Sequence, residues 1–269
     1  MRTINKILTV IDESELSRDI LKKSIELANN FGATIIVLYT IHNPFFNLPI
    51  YNKDVSIDKD KVKKSIDKIF NELNREMNIE HYTLVYFGDN SERAIIEAKR
   101  DDVDMIVTCS NIRYEKVIRE VQKPILVVKS EYKEYKKILA PTDLSKKSKE
   151  SIEFIKNSFD SELSLVYAYE SITTAMSMYD ISYIDMVSYQ DNNREIALKL
   201  LDNFIKDVGV VGELSDDAFS IPHGILEYIK NKKPDLVSVS SHSSEENFFV
   251  GSISSYLAKE SPCDIFIYC

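Results

Sequence analysis

Apolar residues along this chain gather in short unbroken runs, and the stretches between the runs carry them at helical spacing. Ile4–Ile11 is such a run, and Ser14–Phe31 follows with apolar residues at 16, 20, 21, 25, 27, 28 and 31. The first is the pattern of a strand buried on both faces, the second that of a helix with one apolar stripe. Ser14 or Ser17 can cap that helix, and Gly32 stands where a glycine closes one. Further strands are predicted over Thr34–Ile41, His81–Phe87, Asp104–Thr108 and Ile125–Val128, and helices over Ile57–Met77, Ser91–Arg100 and Tyr114–Val121. The second half runs in the same order. Its strands are Lys137–Ala140, Glu162–Tyr169, a weak one within 212–220, Asp235–Ser240 and Ile265–Tyr268. Its helices are Ser148–Phe159, Val187–Val208, Pro222–Asn231 and Ser252–Lys259. Apolar strands alternating with helices predict a parallel sheet covered on both faces.

The halves also match residue by residue. Lys-Ile-Leu-Thr-Val-Ile-Asp at 6–12 corresponds to Lys-Ile-Leu-Ala-Pro-Thr-Asp at 137–143, an offset of 131. Val-Asp-Met-Ile-Val at 103–107 and Pro-Asp-Leu-Val-Ser at 234–238 stand at the same offset. A repeat at fixed offset defines the folding unit. The expected fold class is therefore α/β, with two tandem doubly wound, parallel-sheet, five-stranded Rossmann-like domains over 1–132 and 133–269. Glu131–Tyr135 is a short charged connector. A ligand of such a unit sits beyond the C-terminal ends of its strands.

Composition narrows the class. A chain of 269 residues that is 44% hydrophobic can bury two ordinary cores. No apolar run approaches the roughly 20 residues of a membrane span, and the N-terminus lacks a signal-peptide pattern. Cys109, Cys263 and Cys269 form neither a disulfide framework nor a CxxC metal pair. A cytoplasmic protein that engages no membrane is expected. The net charge of −9 falls almost wholly on the second half, which has 14 basic against 22 acidic residues, while the first has 20 against 21. No basic stripe is available to track phosphates, so nucleic acid is not an expected partner.

The stretch Ile138-Leu139-Ala140-Pro141-Thr142-Asp143-Leu144-Ser145 resembles the opening of the universal stress protein family, where a strand ends in a Pro-Thr-Asp or Val-Asp turn before a helix. The strand at 162–169, Asp-Leu-Val at 235–237 and Ser-Pro-Cys at 261–263 fit as well, and the resemblance extends over both halves. It implies universal-stress-type domains, and in ATP-binding members a loop G-x-x-G, nine residues, G-[ST] after the fourth strand. Glycines there let backbone N–H groups approach phosphate oxygens, and the next helix presents its N-terminus to the charge. Here the loop reads Ser240-Ser241-His242-Ser243, seven residues, Gly251-Ser252, and it carries Glu245 and Glu246. Both leading glycines are serine and the loop is two residues short. The resemblance places an adenine-like end near Asp143 and Ala168 and a phosphate near Ser240, Ser243, Gly251, Ser252 and Ile253, with Pro141, Thr142 and Val239 also in the site. In the first half, Cys109-Ser110-Asn111-Ile112-Arg113 replaces the loop; equating Pro124-Ile125 with Asp264-Ile265 raises the offset to 140, a nine-residue deletion. Asp12 then reads as a strand-end turn residue.

Other candidates read more simply. The serines at 238, 240, 241, 243, 244, 252 and 254 suit turns and caps, with phosphorylation or phosphate contact the alternative. His242 has no carboxylate or second histidine at ligand spacing, and Cys109 is expected to be buried. No G-x-S-x-G elbow, Walker lysine loop or H-E-x-x-H is present. The apolar stretches Asn43–Asn52 and Tyr167–Tyr189, the latter rich in Tyr and Met, read as flaps over the core or as binding loops.

The reading is a non-catalytic protein of stress response or regulation that binds an unidentified protein partner, without cofactor or metal. The family resemblance implies domain pairing through the last strands, Ile125–Val128 and Ile265–Tyr268; a homodimer is a further option. The alternative is ATP or another adenine nucleotide bound by the second domain alone, with weak hydrolysis a remote third.

Overall fold

A computed structural model describes residues 3–41, 58–110, 112–169, 183–215, 220–244, 247–249 and 252–269, without the side chains of 183–191, 242–244, 247–249 and 252. The chain divides into two compact units, Met1–Tyr132 and Lys133–Tyr268. Gly251, Glu245, Glu246, Asn43–Asn52 and residues 170–182 of the Tyr/Met-rich stretch lie outside the described residues.

The first unit runs β1 (Lys6–Ile11), α1 (Ser17–Phe31), β2 (Thr34–Ile41), α2 (Lys59–Leu73), β3 (His81–Phe87), α3 (Asn90–Arg100), β4 (Met105–Cys109), α4 (Tyr114–Val121) and β5 (Ile125–Val128). Its strands lie in the order β3-β2-β1-β4-β5 and all pair in parallel. The central strands are apolar on both faces because both are covered: Ile7, Leu8, Ile35, Ile36 and Ile106 are fully buried. Gly32 closes α1 in the left-handed region, φ 67°, where a side chain would be strained. Neither serine caps α1, contrary to expectation. Leu16 precedes the helix without a side-chain cap, and the Ser17 hydroxyl instead donates to the Asp12 carbonyl at 2.6 Å. The helix expected to reach Met77 ends at Leu73, because the Asn74 side chain donates to the Ile79 carbonyl and accepts from its N–H.

The second unit runs β6 (Lys137–Pro141), α5 (Lys146–Ser158), β7 (Glu162–Ala168), α6 (Tyr183–Val208), β8 (Val211–Ser215), α7 (Ile221–Lys232), β9 (Leu236–Ser240), β10 (His242–Ser244), β11 (Asn247–Phe249), α8 (Ser252–Glu260) and β12 (Asp264–Tyr268). Its parallel order is β8-β7-β6-β9-β12. The α/β class and the two tandem parallel domains are thus as the sequence pattern requires. Strand order reverses between β6 and β9, where a doubly wound sheet opens a crevice.

Register makes the repeat explicit. Ile7 faces Met105 and Ile138 faces Leu236, an offset of 131 on both strands. Ile106 faces Ile125, whereas Val237 faces Ile265, so the last strand is offset by 140. Residues 110–113 alone join β4 to α4, while 241–251 join β9 to α8. Part of that longer connection is an antiparallel hairpin, β10 with β11, pairing Ser243 with Phe248.

One staple recurs in both units. Asp104 Oδ2 accepts from the N–H groups of Asn5 and Lys6 at 2.8 and 3.1 Å, and Asp235 Oδ2 from those of Lys136 and Lys137 at 3.0 and 2.9 Å. Burial pushes the Asp235 carboxyl up, but the hydrogen bonds from Lys137 and Lys136 and from the Lys133 ammonium outweigh it and hold it below the ordinary range. A carboxyl whose folded value is depressed stabilises above its unfolded value and loses that contribution as pH falls through the folded one. Asp235→Asn is therefore expected to cost about 1 kcal/mol in urea melts at pH 7. The gap to the parent should close toward pH 3, and a gap that stays constant with pH would contradict the charge-based account.

The edges of the two sheets are also tied at matching positions by different chemistry. The Tyr82 hydroxyl on β3 donates to Asp101 Oδ2 at 3.0 Å, and burial, then Asp101, pushes that phenol up to about 12. On β8, Glu213 Oε2 accepts from the Tyr228 hydroxyl at 2.7 Å and from Lys232 at 2.8 Å. Positions 82 and 213, and 101 and 232, are again 131 apart.

Candidate functional site

A cavity of about 610 Å³ opens in the second unit at the β6/β9 crossover. Of the ten residues singled out from sequence, seven line it: Pro141, Thr142, Asp143, Ala168, Val239, Ser240 and Ile253. Topology brings them together, since each stands at the C-terminal end of a parallel strand or at the start of α8. The other three fall elsewhere. Ser243 lies in β10 of the hairpin, Ser252 opens α8 with its side chain undescribed, and Gly251 is outside the described residues. The segment expected to cradle phosphate is thus partly folded against itself, and an antiparallel ladder engages backbone groups there.

Ser148, Tyr167, Tyr169, Ile221, Ile225 and Ser254 complete the wall and were not singled out from sequence. A signal for Ser148 existed: it stands 131 residues after Ser17, as Asp143 does after Asp12. Ser145 caps α5, accepting from the Ser148 N–H at 3.1 Å, so the first turn of the helix delivers the Ser148 hydroxyl to the strand end. There it donates to Asp143 Oδ1 at 2.6 Å and lies 3.3 Å from the Ser240 hydroxyl. Asp143 Oδ1 also accepts from the Ser145 N–H, and the Ser254 hydroxyl donates to the Ser240 carbonyl at 2.8 Å. The polar end of the cavity is therefore a chain of hydroxyls ending on one carboxylate. Apart from Thr142, the remaining wall is aliphatic or aromatic, from Pro141, Ala168, Val239, Ile221, Ile225, Ile253 and the two tyrosines.

The equivalent place in the first unit is built differently. Asp12 Oδ1 accepts from the Ser14 N–H at 2.9 Å, and Oδ2 accepts from the thiol of buried Cys109, which stands where Ser240 stands, at 3.3 Å. Tyr39 matches Tyr167 in strand register, since Lys6 faces Thr34 and Lys137 faces Glu162. Its hydroxyl donates to Glu13 at 3.3 Å, and burial, then the Glu13 charge, pushes the phenol up. Leu144 replaces Glu13 in the second unit, so Tyr167 meets no such carboxylate at that position. Among the described residues no group of three or more His, Cys, Asp or Glu could hold a metal ion, and no helix is long and apolar enough to cross a membrane.

A match to the universal stress protein family spans residues 3–129 and again 134–268, and the chain belongs to that family. In structure it is similar to a functionally unknown protein from Pseudomonas aeruginosa PAO1, 13% identical, with a TM-score of 0.67 over 99% of this chain and 93% of the other. A universal stress protein from Archaeoglobus fulgidus DSM 4304 is 16% identical, with a TM-score of 0.62 over 98% of each chain. At such identities the likeness is one of fold. No curated protein matches the chain.

Proposed function

We propose that this member of the universal stress protein family is a non-catalytic binding protein of stress response or regulation, whose second domain holds an adenine-type small ligand. The observation that carries the reading is the cavity at the β6/β9 crossover, of ligand size and walled mostly by apolar side chains with a few convergent polar groups. Its flat apolar walls suit a heterocycle and its hydroxyl end suits a sugar. Among the described lining residues the serines face the Asp143 carboxylate, which accepts from Ser148, and no histidine or lysine. Domain pairing through the last strands and a cytoplasmic location remain part of the proposal on the sequence argument alone.

Titration calorimetry of the full chain against adenine, adenosine, AMP and ATP tests it. Saturable binding by at least one, at one ligand per chain, is the expected result. Two ligands per chain would mean that the first domain also binds, and no heat from any of the four would remove the reading. A second reading, contact with a protein partner and no small ligand, draws on Ile196 and Leu200, one helical turn apart on α6 and 49% and 48% exposed.

A further inference from the structure

We infer that the cavity of the second domain selects an uncharged, hydrogen-bond-donating ligand, a nucleoside rather than a nucleotide; this rests on the adenine-type reading of the same site. The first ground is the direction of the hydroxyl chain. A serine hydroxyl has one proton to give and two lone pairs to accept with. The Ser148 proton is committed to Asp143 at 2.6 Å. At the 3.3 Å contact between Ser148 and Ser240, the donor must then be Ser240. Ser240 consequently faces the cavity with accepting lone pairs, beside an Asp143 that accepts and does not give. Ribose hydroxyls and an exocyclic amine bring protons to such a surface. A phosphate brings only acceptors.

The second ground is the absence of compensating charge. Among the described residues lining the cavity none is a lysine or arginine, and one, Asp143, is acidic. Of the two lysines nearest in sequence, neither lines the cavity: Lys147 Nζ lies 5.2 Å from the centre of the ring of Tyr268, which faces Ser240 across the strands, and Lys146, 92% exposed, is turned to Glu150. By sequence, the four segments joining β6, β7, β8 and β9 to their following helices carry Asp143, Glu170, Asp180, Asp216, Asp217, Glu245 and Glu246, and no lysine or arginine. The helix N-termini at that end contribute about half a positive charge each. Among the described lining residues the one full charge is the Asp143 carboxylate, so a phosphate meets no full opposite charge there. The third ground is the hairpin β10–β11, whose ladder engages the segment that would otherwise offer N–H groups to a phosphate.

Competition among adenosine, AMP, ADP and ATP for the full chain, by calorimetry at about 50 mM and 500 mM salt, tests the inference. Affinity should fall with each added phosphate, with adenosine at least about tenfold tighter than ATP at low salt. The gap should narrow at high salt, because screening weakens the repulsion. Ser240→Ala should weaken adenosine about five- to tenfold by removing the acceptor. Ser240→Lys should reverse the order toward AMP, and it provides a gain that misfolding cannot mimic. ATP binding as tightly as adenosine would overturn the selectivity and leave the adenine-type site standing. No binding by any of the four would overturn both.

Discussion

Leu165→Ala is expected to destabilise the second domain by about 2–5 kcal/mol, toward the upper end of that range. Leu165 is fully buried in the cluster of Ala140, Ile152, Val208 and Val210, with Phe204 and Ile205 packed against it. Its neighbours across the strands are Ala140 on one side and Gly212 on the other, neither with much side chain to give. A Cβ on Gly212 would sit 3.0 Å from the Leu165 Cβ and 3.2 Å from Ile205 Cδ1, so the leucine and the isoleucine already occupy the space that the glycine leaves. Truncating the leucine opens a void beside a position with no side chain to shift into it, and residual cavity volume is what raises the cost of such truncations. Urea melts followed by circular dichroism measure it. Val211→Ala, at a position 69% exposed, serves as the control and should stay within about 0.5 kcal/mol of the parent. Equal small losses from both substitutions would show that this cluster does not hold the domain together.

Ala168→Trp should abolish ligand binding, lowering affinity at least about a hundredfold. Ala168 ends β7, is 6% exposed and lines the cavity between Tyr167 and Tyr169. A two-ring side chain there must enter the cavity, because the opposite course leads into a close-packed sheet. Ile225→Trp approaches from α7 on the other wall and should have the same effect. Circular dichroism first establishes that each variant is folded, and calorimetry with the best-binding adenine compound follows. Parent-like affinity in two folded variants would place the ligand somewhere other than this cavity.

Much of the architecture was legible because it rests on patterns with a physical period. Short unbroken runs rich in β-branched residues, such as Thr34–Ile41, suit strands covered on both sides, and the 131-residue offset carried the reading from one half to the other. The shift to 140 located the shortened connection after β4, which strand register bears out. Helix ends were less legible. The stop after Leu73 depends on an asparagine bonding backbone five residues on, and the start of α1 on a serine spent on Asp12 instead of on the helix. At the site, the residues at strand ends were readable, since topology alone brings them together. Ser148 was readable only through its 131-residue match to Ser17, and Ile221 and Ile225, on a helix from another part of the chain, carried no such mark. The hairpin β10–β11 was hidden as well: strands of three residues across Glu245-Glu246 lack both the alternation and the Asn-Gly or Asp-Gly turn that announce one.

The matched edge ties, Tyr82 with Asp101 and Glu213 with Lys232, bear on how the two copies have diverged. The site of the contact is common to both, yet the partners have been replaced together, a hydroxyl and carboxylate in one and a carboxylate and ammonium in the other. Changing one residue of such a pair alone loses the contact. Glutamate at 82 beside Asp101 sets two anions against each other, and lysine at 101 leaves Tyr82 without its acceptor. The halves of this chain are therefore no longer interchangeable libraries of residues. Grafting position 82 or 101 from one copy to the other should carry its mate along to keep the tie.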